Sequence, residues 1–306
     1  MLNKIIIGSR GSKLSLAYAN KVKGLILGVN KSLDQNIEIQ AIKTSGDIFQ
    51  NKKISEIGGK NLFCKEIENK LINKQIDIAV HSLKDMDSIE TNGLIIQAYI
   101  ERNDPRESFV SKKFKKLSDI NDGKIGSSSR RRELQLRMLN KNIKIENIRG
   151  NVDTRIKKVE IGEFDGVILA LAGLKTLKLE HHVKETFPVK DFIPTAGQGI
   201  IAVQCRKGDE KIKEILKKIN HRETELCAIA ERSFLRTLGG DCDTAVGCSA
   251  ILNKGNIELS AQLFSDDGEG VFNVKKLGES KQPQLLGQLA GEEILKQSGD
   301  NFTKKR

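Results

Sequence analysis

The sequence has no tryptophan and two tyrosines, and aromatics make up 4% of its 306 residues. Single-stranded nucleic acid is usually bound on aromatic stacking platforms. Their scarcity, and the lack of any RNP, zinc-finger or basic-zipper pattern, argue against a nucleic-acid binder. No apolar run approaches the ~18 residues needed to span a bilayer. The stretch Met1 to Gly8 is too short for a signal peptide, and no small-residue cleavage site follows it. The expected location is therefore the cytoplasm. The five cysteines (Cys64, Cys205, Cys227, Cys242, Cys248) are odd in number and contain no C-x-x-C pair, which argues against a disulfide framework. The four histidines form no H-x-x-x-H or Cys/His cluster, so no metal is expected.

What is plentiful is positive charge. Fifty-two basic residues against 40 acidic ones leave a net charge of +12, which calls for an anionic partner. With nucleic acid disfavoured, a small polyanion is the better fit. The densest basic run, Lys112 to Lys116, reads as solvated surface.

Strand and helix patterns alternate through the first two thirds, the mark of a mostly parallel sheet covered by helices. Ile5 to Ile7 reads as a buried strand. A helix capped by Ser12 follows, with apolar residues from Leu14 to Val29 at three- and four-residue spacing. Ile37–Ile42, Ile76–Val80 and Leu94–Ile100 read as strands, and a helix is expected over about Asn61–Asn73. The polar stretch Glu101–Arg106 marks a crossover to a second α/β unit. That unit has helices near Arg131–Leu139 and Val152–Ile161, and strands at Ile143–Asn147 and Gly166–Leu171. After a second break, Pro194–Gly199, the strand Ile200–Gln204 can return to the first sheet. The last third changes to a helix (Arg222–Leu238), three strands and a final helix, a small α+β arrangement. The expected division is residues 1–100 with 200–218, residues 104–193, and residues 220–306.

Several clusters could carry chemistry. His81-Ser82-Leu83-Lys84-Asp85 lies beyond a strand's carboxyl end, where open α/β sheets place ligands. Lys84 could pair with a carboxylate and Asp85 could stabilise a cation or shuttle protons; an exposed Lys–Asp turn is the equal alternative. Ser127-Ser128-Ser129-Arg130-Arg131-Arg132 opens a helix. Arginines in a first turn oppose the helix dipole by roughly 0.3–1 kcal/mol each, which an anionic ligand would offset. Successive helical residues are set about 100° apart, so at least one of the three should point away. Arg149-Gly150-Asn151-Val152-Asp153-Thr154-Arg155 repeats the theme, and Arg10-Gly11-Ser12 stands likewise between a strand and a helix. Ser12 reads first as a cap. Cys242 sits in a glycine-rich loop between Asp241 and Asp243. Those acids raise a thiol's pKa, so a covalent attachment point suits it better than a hydrolytic nucleophile.

In order along the chain, Gly58–Phe63, His81–Asp85, Asp104-Pro105-Arg106, Ser128–Arg132, Arg149–Arg155, Ala172–Lys175, Gly197-Gln198-Gly199 and the Cys242 loop resemble the porphobilinogen deaminase (hydroxymethylbilane synthase) family. The resemblance implies two periplasmic-binding-protein-like α/β lobes around a cleft, with a third domain presenting a cysteine. It implies a dipyrromethane cofactor joined by thioether to Cys242, with Lys84, Ser129, Arg131 and Arg132 in contact with it. Arg10, Ser12, Arg149 and Arg155 would meet the substrate, and Asp85 would be catalytic. Four porphobilinogens would lose ammonia and add in turn to give a linear tetrapyrrole. The implied enzyme is a monomer without metal, nucleic acid or membrane as partner. Two departures stand out: Asp87 where the family usually has proline, and Asp241, Asp243 and Ala245 in a loop that commonly reads G-x-C-x-x-P. The alternative is a non-catalytic, two-lobed small-anion-binding protein.

Overall fold

The computed structural model describes residues 4–30, 36–48, 64–239 and 244–303. Two compact units divide the chain: one runs up to Asn103 and adds Ile200–Ala228, the other takes Asp104–Gly199 and everything from Ile229 on.

In the first unit, β1 (Ile5–Arg10) leads into α1 (Lys13–Val29), β2 (Ile37–Ile42), the short α2 (Ser45–Ile48), α3 (Lys65–Ile72), β3 (Ile78–Ser82) and β4 (Leu94–Tyr99). The later strand β10 (Ile201–Arg206) and helix α7 (Glu210–Lys217) complete it. The sheet order is β2-β1-β3-β10-β4. β1 is parallel to both neighbours, whereas β10 enters antiparallel between β3 and β4. Both faces are covered. Ile5, Ile7, Ile78, Val80 and Val203 pack under α1 and α7, and Ile42, Ile76 and Ala79 pack under α3. Burial on both faces is why these strands read as continuous apolar runs. In α1 the buried stripe is Tyr18, Ala19, Val22 and Ile26; Leu25 and Val29, expected in that stripe, are exposed.

The second unit repeats this winding. Its strands are β5 (Glu107–Ser111), β6 (Gly123–Gly126), β7 (Ile143–Glu146), β8 (Gly166–Ala170) and β9 (Val183–Thr186), ordered β7-β6-β8-β5-β9. Again four strands run one way and one, here β5, opposes them. In each sheet the opposing strand is the one that follows a crossover. α4 (Arg130–Leu139) covers one face over Phe109, Ile125 and Ile168. α5 (Val152–Glu160) and α6 (Leu171–Thr176) cover the other, over Val110, Val167 and Leu169.

From Ile229 on the chain belongs to this second unit; the helix that crosses the boundary starts in the first. The long helix α8 (Arg222–Leu238) precedes an antiparallel sheet of β11 (Val246–Asn253), β12 (Asn256–Phe264) and β13 (Val271–Glu279), backed by α9 (Pro283–Ser298). Gly239, at φ 64°, stops α8, as the glycine pair suggests. The sheet meets α4 through Leu134, Ala245 and Phe264. The fold is thus α/β, two similarly wound units with a small added C-terminal sheet. Among the described residues, no helix is long and apolar enough to cross a membrane.

Candidate active site

In the first unit, Arg10 closes β1 and Ser12 caps α1, its Oγ accepting the Ser15 N–H at 3.2 Å. Lys84 and Asp85 lie in a single 3-10 turn after β3. β1 and β3 are adjacent and parallel, with Gly8 opposite Ala79, so both loops leave the same end of one sheet. All four residues are half-buried, and Gly11 between Arg10 and Ser12 is exposed. The turn is fixed from behind: Leu83 N–H donates to the Ile200 carbonyl at 3.0 Å, and the Cys64 thiol donates to the Asp85 carbonyl at 3.6 Å. Asp87 accepts the Ile89 N–H at 3.4 Å and so makes a turn of its own.

Beneath this turn His81 is buried on β3. Burial holds its pKa down to about 4, against the opposing pull of the Glu68 carboxylate. It is a neutral core imidazole at neutral pH.

The second unit shows the same layout. β6 and β7 are parallel neighbours, with Gly126 opposite Glu146. After β6 come the serines and α4; after β7 come Arg149, Gly150 and α5. The two loops are tied together by the Ser127 N–H on the Glu146 carbonyl at 2.9 Å and by the Ser128 hydroxyl on the Ile148 carbonyl. Ser129 caps α4 by accepting the Arg132 N–H at 3.4 Å. Gly150 turns at φ 110°, a conformation that favours glycine. Its carbonyl accepts Arg155 Nε at 2.8 Å, which folds that half-buried side chain back across the loop.

The three consecutive arginines separate as helix geometry requires. Arg130 is exposed and pairs with Glu133 at 2.9 Å. Arg131 and Arg132 are 4% and 8% exposed and converge on one carboxylate, Glu107 of β5, which is wholly buried. Arg131 Nη2 lies 2.6 Å from Glu107 Oε1 and Arg132 Nη2 2.8 Å from Oε2. Burial pushes the Arg131 guanidinium below its ordinary value and Glu107 opposes this. The anion that offsets these first-turn cations is therefore, in part, inside the chain. Sequence reading missed Glu107, since a glutamate at the start of a strand gives no sign of burial. Two guanidiniums to one carboxylate still leave one positive charge over.

Cys242, with Asp241 and Asp243, lies outside the described residues, as does Gly58–Phe63. Cys64, Cys205, Cys227 and Cys248 are buried. Burial pushes the Cys205 thiol up to about 11, which makes it inert at neutral pH.

Fold and loops together define the class: an α/β chain of two similarly wound units, with basic loops at the carboxyl ends of parallel strands and a small C-terminal sheet. Residues 5–214 match the family described as porphobilinogen deaminase, dipyromethane cofactor binding domain. Residues 225–296 match the porphobilinogen deaminase C-terminal domain. The chain belongs to the porphobilinogen deaminase family. It is 38% identical over 302 residues to the porphobilinogen deaminase of Coxiella burnetii strain Dugway 5J108-111, covering 98% of this chain and 97% of that one. It is 39% identical over 295 residues to that of Francisella tularensis subsp. novicida, covering 96% and 97%. Among solved structures, a TRAP periplasmic solute binding protein from Desulfovibrio salexigens is 10% identical with a TM-score of 0.44 over 74% of each chain. At that distance the likeness carries no argument about function.

Proposed function

We propose that the chain is a transferase, a hydroxymethylbilane synthase of porphyrin (heme) biosynthesis. It joins four porphobilinogens head to tail, with loss of one ammonia at each addition, and releases a linear tetrapyrrole. One observation carries the reading at the level of residues: each unit presents its basic and hydroxyl side chains at the carboxyl ends of adjacent parallel strands. One carboxylate, Asp85, stands among those of the first unit.

A carboxylate-bearing pyrrole chain suits these groups. Unit charges ~4 Å apart interact by about 4 kcal/mol at an effective dielectric near 20, so acetates and propionates gathered in one site need neutralising. Arginine stays charged and grips carboxylates with two parallel donors. Ser129, Arg131 and Arg132, with Lys84, would hold the dipyrromethane cofactor. The excess positive charge on the Arg131–Arg132–Glu107 cluster supports that assignment. Held by thioether on Cys242, the cofactor supplies the free pyrrole end to which units are added. Arg10, Ser12, Arg149 and Arg155 meet the carboxylates of incoming porphobilinogen. Asp85 stabilises positive charge as it develops on a pyrrole and takes or returns a proton at its carboxylate. We read three domains: residues 1–100 with 200–218, residues 104–193, and residues 220–306. The chain is further read as a cytoplasmic monomer that needs neither metal nor nucleic acid; sedimentation of the purified protein tests the monomer.

Replacement of Asp85 by asparagine tests the catalytic assignment. The reading expects an attached cofactor with almost no turnover, and near-normal turnover would remove Asp85 from the mechanism.

A further inference from the structure

The buried charge cluster in the second unit is larger than an ion pair and leads somewhere specific. Glu107 fixes Arg132 through two donors, Nε at 3.0 Å and Nη2 at 2.8 Å, and the third side of that guanidinium rests on the Ile168 carbonyl at 3.2 Å. Arg131 is held differently. Its Nη2 takes the shared Glu107 oxygen, while Nη1 reaches both the Ile193 carbonyl at 2.9 Å and Gln135 Oε1 at 3.0 Å. Gln135, one turn further along α4 and 2% exposed, donates in turn to the Ile193 carbonyl at 3.1 Å and to Gln262 Oε1 on β12 at 2.9 Å.

The polar path therefore runs from β5, through the start of α4, into the C-terminal sheet. A second observation leads to the same carbonyl. A side chain at Gly247 on β11 would put its Cβ 2.7 Å from the Ile193 oxygen, and the next residue, Cys248, donates its N–H to the Pro194 carbonyl at 2.8 Å. β11 begins three residues after the 240–243 segment that contains Cys242. The strand that follows the cysteine and the arginine of α4 are thus seated on neighbouring carbonyls of one short segment.

A wholly buried glutamate with two buried arginines is a poor device for stability alone, because removing charges from water costs about what their pairing returns. It does fix direction: every acceptor named here restricts where the two guanidiniums can point. We propose that Glu107 and Gln135 are positioning residues for cofactor attachment. Glu107 sets the aim of Arg131 and Arg132, and Gln135 keys Arg131 to the sheet whose first strand follows the Cys242 segment. This rests on the reading that Arg131 and Arg132 hold the dipyrromethane, and it adds two residues that touch neither cofactor nor substrate.

The test uses the full chain expressed where porphobilinogen is not made, then supplied with porphobilinogen, with intact mass followed over time. Glu107→Gln keeps shape but removes the charge, and Glu107→Asp keeps the charge. Loss of one charge-assisted contact corresponds to a factor of roughly ten or more, so Glu107→Gln should acquire the adduct at least about tenfold more slowly than wild type. Glu107→Asp should recover most of that rate. Gln135→Leu, which leaves the Glu107 pairs in place, should also load more slowly while melting cooperatively. If Glu107→Gln does not fold, the Gln135→Leu arm decides. Wild-type loading rates in the folded variants would overturn the positioning role alone. A wild-type chain that gains no adduct would overturn the reading of the site, and this proposal with it.

Discussion

Asp85 is half-buried in a turn whose backbone is pinned by Ile200 and Cys64. An amide in its place should keep that backbone and lose only the negative charge. Preorganised electrostatic groups are worth about 10²–10³ in rate, so Asp85→Asn should lower kcat by that order while the melting temperature and the adduct mass hold. His81 makes a separate, pH-dependent prediction. Its folded pKa, about 4, lies below the 6.5 of an unfolded histidine, so between those values the unfolded chain binds more protons. Stability is then complete above about pH 6.5 and falls as pH drops toward 4, by on the order of 3 kcal/mol from this group. Urea midpoints measured from pH 7 to pH 4 should show that loss, and His81→Gln should reduce it. An unchanged acid limb in the variant would contradict the account. Among the arginines, Arg130→Leu removes an exposed pair and should cost about 1 kcal/mol or less. Arg131→Leu takes one partner from a buried carboxylate and should cost about 3 kcal/mol or more. Equal melting curves for the two variants would mean that the helix is misplaced by a residue.

At the scale of elements, the start of α4 is where sequence and structure can be compared most closely. A hydroxyl cap, the helix behind it and the outward direction of one of the three arginines follow from hydroxyl chemistry and the 100° step between helical residues; the structure makes them Ser129 and Arg130. Replacing Ser129 with alanine should lower stability by about 1 kcal/mol, readable as a shifted urea midpoint. The return of β10 to the first sheet is also legible, because an apolar run directly after a Gly-rich break has a buried sheet to join. β5, β6 and β9 are not. β5 is buried throughout yet reads Glu-Ser-Phe-Val-Ser; Glu107 is matched by two arginines, and Ser108 and Ser111 donate to the Leu169 and Asp165 carbonyls at 2.8 and 2.6 Å. Periodicity registers apolar residues, so a strand whose polar groups find partners in three dimensions escapes it. β6 reads Gly-Lys-Ile-Gly, with Ile125 its single apolar side chain, too short a pattern to register. For the same reason the candidate loops were legible while Glu107 and Gln135 were not: loops announce themselves by glycine, serine and charge, but a buried partner is visible only once the fold brings it in.

For the whole molecule, the two units carry one winding, and each places a pair of basic loops at the same end of its parallel strands. The arginines should then divide by the stage at which their loss is felt. Without Arg131 or Arg132 the chain should lack its adduct. Without Arg10, Arg149 or Arg155 it should be loaded but stall with partly extended chains, visible as a ladder of masses after brief exposure to porphobilinogen. Identical mass patterns across all five variants would refute that division. The central claim is that the product grows on a group held by Cys242, and the intact mass of the purified, active chain, with peptide mapping, tests it most directly. The account predicts the added mass of two linked pyrroles on the peptide that contains Cys242, and its loss together with activity in Cys242→Ser. An unmodified chain with full activity would contradict it.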